Sequence, residues 1–245
     1  VWFDPHGSGS GSELVKAHLT AADIGLPKAK RIYTALNFFL EHPFRDGWYG
    51  KINYTWSHSY GNTEGQTDSG VAGGDVALSA GSDYRELSIG ANGNLSGDRR
   101  HVIKAYGFYQ VLPEVLLGAN LQVASGRPRN CLGQLPEYAG QDVGHYEGNY
   151  FFFCDAKGGA FSPRGSQGRL PWTTQLDLNL SYQPAAVKGL NLKFDVFNVF
   201  DSRTINSENS GSNSGSGNIS PTFRQGGSRI GARSARLTAE YNYKF

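Results

Sequence analysis

Seven stretches of this 245-residue chain alternate apolar and polar side chains with a period of two, the pattern of a strand with two unlike faces. The sharpest runs from Trp172 to Tyr182. Trp172, Thr174, Leu176, Leu178, Leu180 and Tyr182 share one face, and Thr173, Gln175, Asp177, Asn179 and Ser181 share the other. The last stretch repeats the pattern, with Ala235, Leu237, Ala239, Tyr241, Tyr243 and Phe245 set against Arg236, Thr238, Glu240, Asn242 and Lys244. Between Trp48 and Trp56 the apolar face carries Trp48, Ile52, Tyr54 and Trp56, opposite Tyr49, Lys51, Asn53 and Thr55. Ile32–Leu40, Val115–Val123 and Leu190–Val196 agree with less contrast. His101–Val111 points both ways: Lys104 and Gln110 make its even positions the polar face, yet Tyr106 and Phe108 sit there too.

Alternation alone does not separate a lipid-facing wall from a sandwich with a packed core, but the connections do. Glu41–Asp46, Leu112–Glu114 and Gln183–Gly189 are short, whereas Gly61–Arg100, Arg127–Pro171 and Asp201–Ser234 run to roughly thirty or more residues. Short and long alternate strictly. In an up-and-down sheet that order puts every tight turn at one end and every large loop at the other, as in outer-membrane barrels. The predicted fold is therefore all-β, an antiparallel up-and-down meander of about seven long strands. It forms part of a transmembrane β-barrel and is an open sheet when taken alone.

Composition fits without deciding the matter. Hydrophobic residues make up 38% of the chain and Gly numbers 33. Mean hydropathy is −0.44, so no segment reads as an apolar spanning helix, while barrel strands keep mean hydropathy low. There is no Met, and the chain opens on Val1-Trp2-Phe3 within a pattern, so we expect a fragment with more chain upstream. The formal net charge is +2 with dispersed basic residues, which gives no footprint for nucleic acid.

Trp48, Trp56, Trp172 and Tyr182 lie at strand ends on the apolar face, where rings belong at membrane–water interfaces. Gly7–Ser12, Gly70–Gly74 and Gly211–Gly217 read as flexible loop tips. Cys131 and Cys154 fall in one long loop, and outside the cell such a pair is expected to form a disulfide rather than two free thiols or half a metal site. The same loop holds Tyr146, Tyr150, Phe151, Phe152 and Phe153 beside Arg127 and Arg129. These supply either a ligand-contact surface or a small loop core stapled by the disulfide, and the second reading is favoured. Lys51, Lys104, Asp177, Lys193, Asp195, Arg236, Glu240 and Lys244 are expected on the lumen face, with Lys193, Asp195 and Asp177 as cross-strand partners.

Several segments taken in order resemble the C-terminal barrel of TonB-dependent receptors, notably the Oar-like branch with very large loops. They are Tyr54-Thr55-Trp56-Ser57, Asp98-Arg99-Arg100-His101, Ala124-Ser125-Gly126-Arg127-Pro128, Gly168-Arg169-Leu170-Pro171-Trp172, Leu176–Tyr182 and Asp195–Asp201. The resemblance covers roughly residues 29–245 and implies a barrel of about 22 strands with a plug and a TonB-binding segment upstream. By the same analogy, residues 1–28 would be the end of a preceding strand and an extracellular loop. The final strand, with Leu237, Tyr241, Tyr243 and Phe245 on one face, looks like the signal that outer-membrane proteins present to the barrel-assembly machinery.

The implied function is capture of a scarce ligand outside the cell, whether small molecule, glycan or peptide, and its import with the help of the TonB system. A passive porin, a structural or adhesin barrel, and a soluble sandwich are the alternatives. No catalytic, metal or cofactor site is expected. His6, His18, His42, His58, His101 and His145 are scattered, and Ser8, Ser10 and Ser12 lie in low-complexity sequence. Lipid of the outer membrane is the expected partner of the apolar face.

Overall fold

The computed structural model describes residues 2–3, 15–16, 20, 22–23, 25–65, 85–136, 150–154, 159–213 and 218–242. Within them the strands, in chain order, are β1 Trp2–Phe3, β2 Val15–Lys16, β3 Arg31–Arg45, β4 Trp48–Gly61, β5 Gly93–Asn94, β6 His101–Leu112 and β7 Val115–Ala124. They continue as β8 Phe153–Cys154, β9 Ala160–Phe161, β10 Thr173–Tyr182, β11 Leu190–Phe197, β12 Ile205–Glu208, β13 Gly226–Arg229 and β14 Ser234–Tyr241. Eight of these form one sheet, seven of them in the order β3-β4-β6-β7-β10-β11-β14 and the short β5 paired with the loop end of β4. Every neighbouring pair is antiparallel and follows the chain, so the sheet is an open meander. The short β1 and β2 pair with each other.

Register carries each predicted face across the sheet. One row runs Gly50, Gly107, Ala119, Leu178, Val196, Ala235 and is apolar throughout. The opposite face carries the row Glu41, Lys51, Tyr106, Asn120, Asp177. A slip of one residue would exchange the two faces. The same pairing resolves β6. Lys104 lies between Asn53 and Gln122, and Tyr106 between Lys51 and Asn120, so its even positions belong to the polar face and bring two rings with them.

The sequence pattern stopped the first long strand at Leu40, but the strand runs on to Arg45 past Pro43. A bulge between His42 and Arg45 absorbs the proline, since a residue without an N–H is accommodated where the ladder is already interrupted. The connection shrinks to Asp46-Gly47, with φ of 53° and 80°. Both residues are left-handed, as in the two-residue hairpin turns that match strand twist.

Burial is inverted relative to a water-soluble protein. The buried apolar side chains are Leu87, Ala91, Leu95, Cys131, Leu132, Leu135, Phe151, Phe152 and Leu170, and none lies on the seven long strands. The buried residues on those strands are polar or small, among them Ser57, Ser59, Ser181 and Asp195, while Leu178, Leu180, Phe194 and Leu237 stand exposed. Among the described residues no second sheet covers this face, as a soluble sandwich would require. An uninterrupted apolar face of this size is far beyond what water tolerates on a monomer, and hydrocarbon is the medium that covers it.

Two belts of rings bound the apolar band. At the loop end, His101 stacks between Tyr54 and Trp172 with centroids 6.1 and 5.7 Å away, and its Nδ1 lies 2.8 Å from the Tyr54 hydroxyl. At the turn end, His42 stacks on Trp48 at 3.6 Å, Trp48 pairs across with Tyr109, and Tyr182 closes β10. Trp172 and Tyr182 are ten positions apart. At about 3.3 Å per residue and a tilt near 40°, that is about 25 Å of membrane normal, the height of an outer-membrane apolar band.

The polar face is laced by pairs that the register selects. Lys51 meets Glu41 at 2.8 Å, Lys193 meets Glu240 at 2.7 Å and Arg236 meets Asp195 at 2.9 Å. The sequence had grouped Lys193 with Asp195 and Asp177. Instead Asp195 also accepts from Asn179, and Asp177 accepts from Gln175 and the Asn198 amide.

Candidate functional site

All three long connections leave the same end of the sheet, and their described residues within 62–100, 125–172 and 198–233 pack on one another. The disulfide between Cys131 and Cys154, with Cα atoms 5.3 Å apart, closes the middle loop. Such a closure contributes about 3 kcal/mol by chain entropy. Around it, Phe151 packs with Leu87 and Leu135, and Phe152 with Ala91 and Leu132, each ring 1% exposed. Arg164 crosses from the middle loop to the first, donating to the Ala91 carbonyl at 2.8 Å and lying 5.1 Å from the Phe152 ring centre. The third loop joins through Leu132 and Ser212, whose amide donates to the Leu132 carbonyl at 2.6 Å. Ser212 and Asn213 are buried, so the start of the Gly211–Gly217 stretch is loop core and not the flexible tip its composition predicted. The other two Gly-rich stretches lie outside the described residues.

Charge holds the stems of these loops. The Asp98 side chain is fully buried and takes Arg100 at 3.2 Å, Arg169, and the Ser59 amide at 2.7 Å. Burial pushes its carboxyl up, but the hydrogen bonds from Arg169 and Ser59 and the charges of Arg169 and Arg100 outweigh that and hold it below the usual carboxylate range. Gly126 lets the two stems of the middle loop touch, since a Cβ there would sit 1.6 Å from the Leu170 carbonyl oxygen. Glu208 of β12 receives both Arg129, at 2.8 and 2.7 Å, and Arg224.

The residues singled out from sequence are thus only partly together. Phe151 and Phe152 lie inside the loop core, Phe153 is half-buried against it, and Tyr150 is exposed at its edge. Arg129 is engaged by Glu208, whereas Arg127 has no hydrogen-bond partner for its buried Nε. Tyr146 lies outside the described residues. Leu237 and Tyr241 stand exposed on the apolar face, while Tyr243 and Phe245 also lie outside the described residues. Sequence reading missed Asp98, Arg164, Arg169, Glu208 and Arg224 as loop-joining residues, because their partners are up to 94 positions away. Among the described residues no cluster suited to a metal ion is present.

This combination of lipid-facing wall, ring belts and large loops gathered at one end defines an outer-membrane β-barrel segment. Residues 17–115 match the family described as outer membrane beta barrel domain. Over 186 residues, 74% of this chain, the sequence is 30% identical to the TonB-dependent transporter Oar of Myxococcus xanthus. The chain spans 16% of that relative's length. Among solved structures, the siderophore receptor PiuA from Acinetobacter baumannii superposes with a TM-score of 0.51 at 14% identity, covering 88% of this chain and 22% of that one. That likeness is one of fold. The chain is outer-membrane barrel wall with its loops, and part of it is similar in sequence to a TonB-dependent transporter.

Proposed function

We propose that this chain supplies wall and extracellular loops to a TonB-dependent receptor that captures a scarce ligand outside the cell and imports it. The observation that carries this reading is the joined loop platform. Three loops locked by a disulfide, two ring clusters and buried ion pairs form a rigid surface of the kind binding requires, and an open pore needs no such cover. Similarity to a TonB-dependent transporter supports the same reading. Arg127 and the exposed Tyr150 are the proposed contacts, with Phe151, Phe152 and Phe153 supporting them from beneath, Arg129 held back by Glu208, and Tyr146 on the same loop. The ligand class, small molecule, glycan or peptide, is left to experiment, and energy reaches the receptor through the TonB system. Leu237, Tyr241, Tyr243 and Phe245 form the strand offered to the barrel-assembly machinery.

Planar-bilayer recording of the full protein tests the import reading. A receptor is expected to show no steady conductance, and its ligand uptake in cells stops when the proton-motive force is collapsed. A steady, voltage-independent pore would make it a porin, and uptake indifferent to energy would likewise end the proposal.

A further inference from the structure

Where the three loops meet, they share a small pocket of about 70 Å³, lined by Ser96 of the first loop, Arg127–Asn130 and Leu170 of the second, and Asn206–Glu208 and Ser210 of the third. Two donors in this wall have no partner. The Ser96 hydroxyl belongs to a residue only 8% exposed and makes no hydrogen bond. The Arg127 Nε is likewise withdrawn from solvent and unpaired. Buried polar groups are nearly always satisfied, so two orphan donors in one pocket need a reason. The local charge points the same way. Of the carboxylates at the pocket, Glu208 in the wall is already shared by Arg129 and Arg224, and Glu64 behind it takes the Ser96 amide at 2.7 Å and pairs with Arg164. Behind the pocket stands Arg99, whose bonds go to neutral oxygens of Ser125, Thr173 and Asn206. Burial and the charge of Arg127 both weigh against Arg99's own protonated form. Arginines around the pocket thus outnumber carboxylates, and two of its donors are unmet.

We propose that this pocket binds an oxyanion, a carboxylate, phosphate or sulfate group, held by the Arg127 guanidinium and the Ser96 hydroxyl. A guanidinium offers a planar fork suited to such a group, and a charge-assisted bond there is strong. The volume suits the terminal anionic group of a larger ligand or a free inorganic anion. The site concerns binding alone, so it stands or falls independently of whether the ligand is then carried inward.

Calorimetric titration of the full protein in detergent micelles, with inorganic phosphate, sulfate and acetate as probes, tests this. At least one probe is expected to bind saturably at a single site. Arg127→Gln is expected to weaken it by about tenfold or more, Ser96→Ala by about threefold, and Lys188→Gln in the turn at the far end not at all. Among the described residues the Arg127 Nε has no partner, so Arg127→Gln is expected to leave the thermal unfolding temperature unchanged or raise it. Displacement of the probe by added lipopolysaccharide would assign the anion to a lipid headgroup, and lack of displacement to a soluble ligand; either keeps the site. The proposal is overturned if none of the three anions gives saturable heat, if Arg127→Gln binds as wild type does, or if that variant loses thermal stability.

Discussion

Asp98 shows at the scale of one residue how the loop platform is held. It stood in the sequence as the first residue of a short basic motif, and its three partners come from Ser59, Arg100 and Arg169. Its folded-state pKa is depressed from 3.8, so the stability it adds is present in full well above 3.8 and is lost as pH falls through its lower folded value. Asp98→Asn leaves two arginines short of a buried partner and is expected to cost about 3 kcal/mol at neutral pH. Hydrogen exchange at the Ser59 amide measures it. Exchange is faster in the variant at pH 7, and the gap between variant and wild type closes as pH drops below 3.8. A gap that persists in acid would mean Asp98 does not act through its charge.

At the scale of the element, a strand of this sheet has one face for hydrocarbon and one for water or protein. Leu178 sits mid-strand in β10 on the apolar row and Asn120 mid-strand in β7 beside Asp177 on the polar row. Leu178→Arg is expected to cost about 2–4 kcal/mol of folding into lipid vesicles, the depth-dependent penalty of a charge at the midplane. Asn120→Arg is expected to be near neutral, since Asp177 lies directly across. Urea titration of vesicle-folded protein separates them, and equal costs would contradict the assignment of faces. The alternation that carries this distinction was legible for six strands. In β6, the two rings on the polar face obscured it, and only pairing with β4 and β7 resolved it.

For the whole molecule, the open sheet leaves β3 and β14 each with a free edge. Hydrocarbon does not tolerate unpaired backbone groups, so in the membrane both edges are joined to other strands of a closed barrel. Phe245 with the ring positions before it is the end that we propose the assembly machinery recognises. Deleting Phe245 is expected to lower the heat-modifiable, assembled fraction in the outer membrane while leaving synthesis unchanged, as gel migration with and without boiling reports. An unchanged assembled fraction would remove the terminal signal from the proposal.

Period-two patterning and the order of short and long connections were enough to set the strands, their faces and the end at which the loops gather. Each of these depends on neighbours along the chain and on a solvent that differs between two sides of a strand. Which loop residues touch was decided only by the tertiary structure. Arg129 and Glu208 are 79 positions apart, and Leu132 contacts Ser212 across 80, with no local periodicity to announce either pair. The same holds for the pocket of Ser96 and Arg127, where the informative feature is donors left without acceptors. Satisfaction of hydrogen bonds is a property of three-dimensional neighbours, and a linear pattern does not contain it.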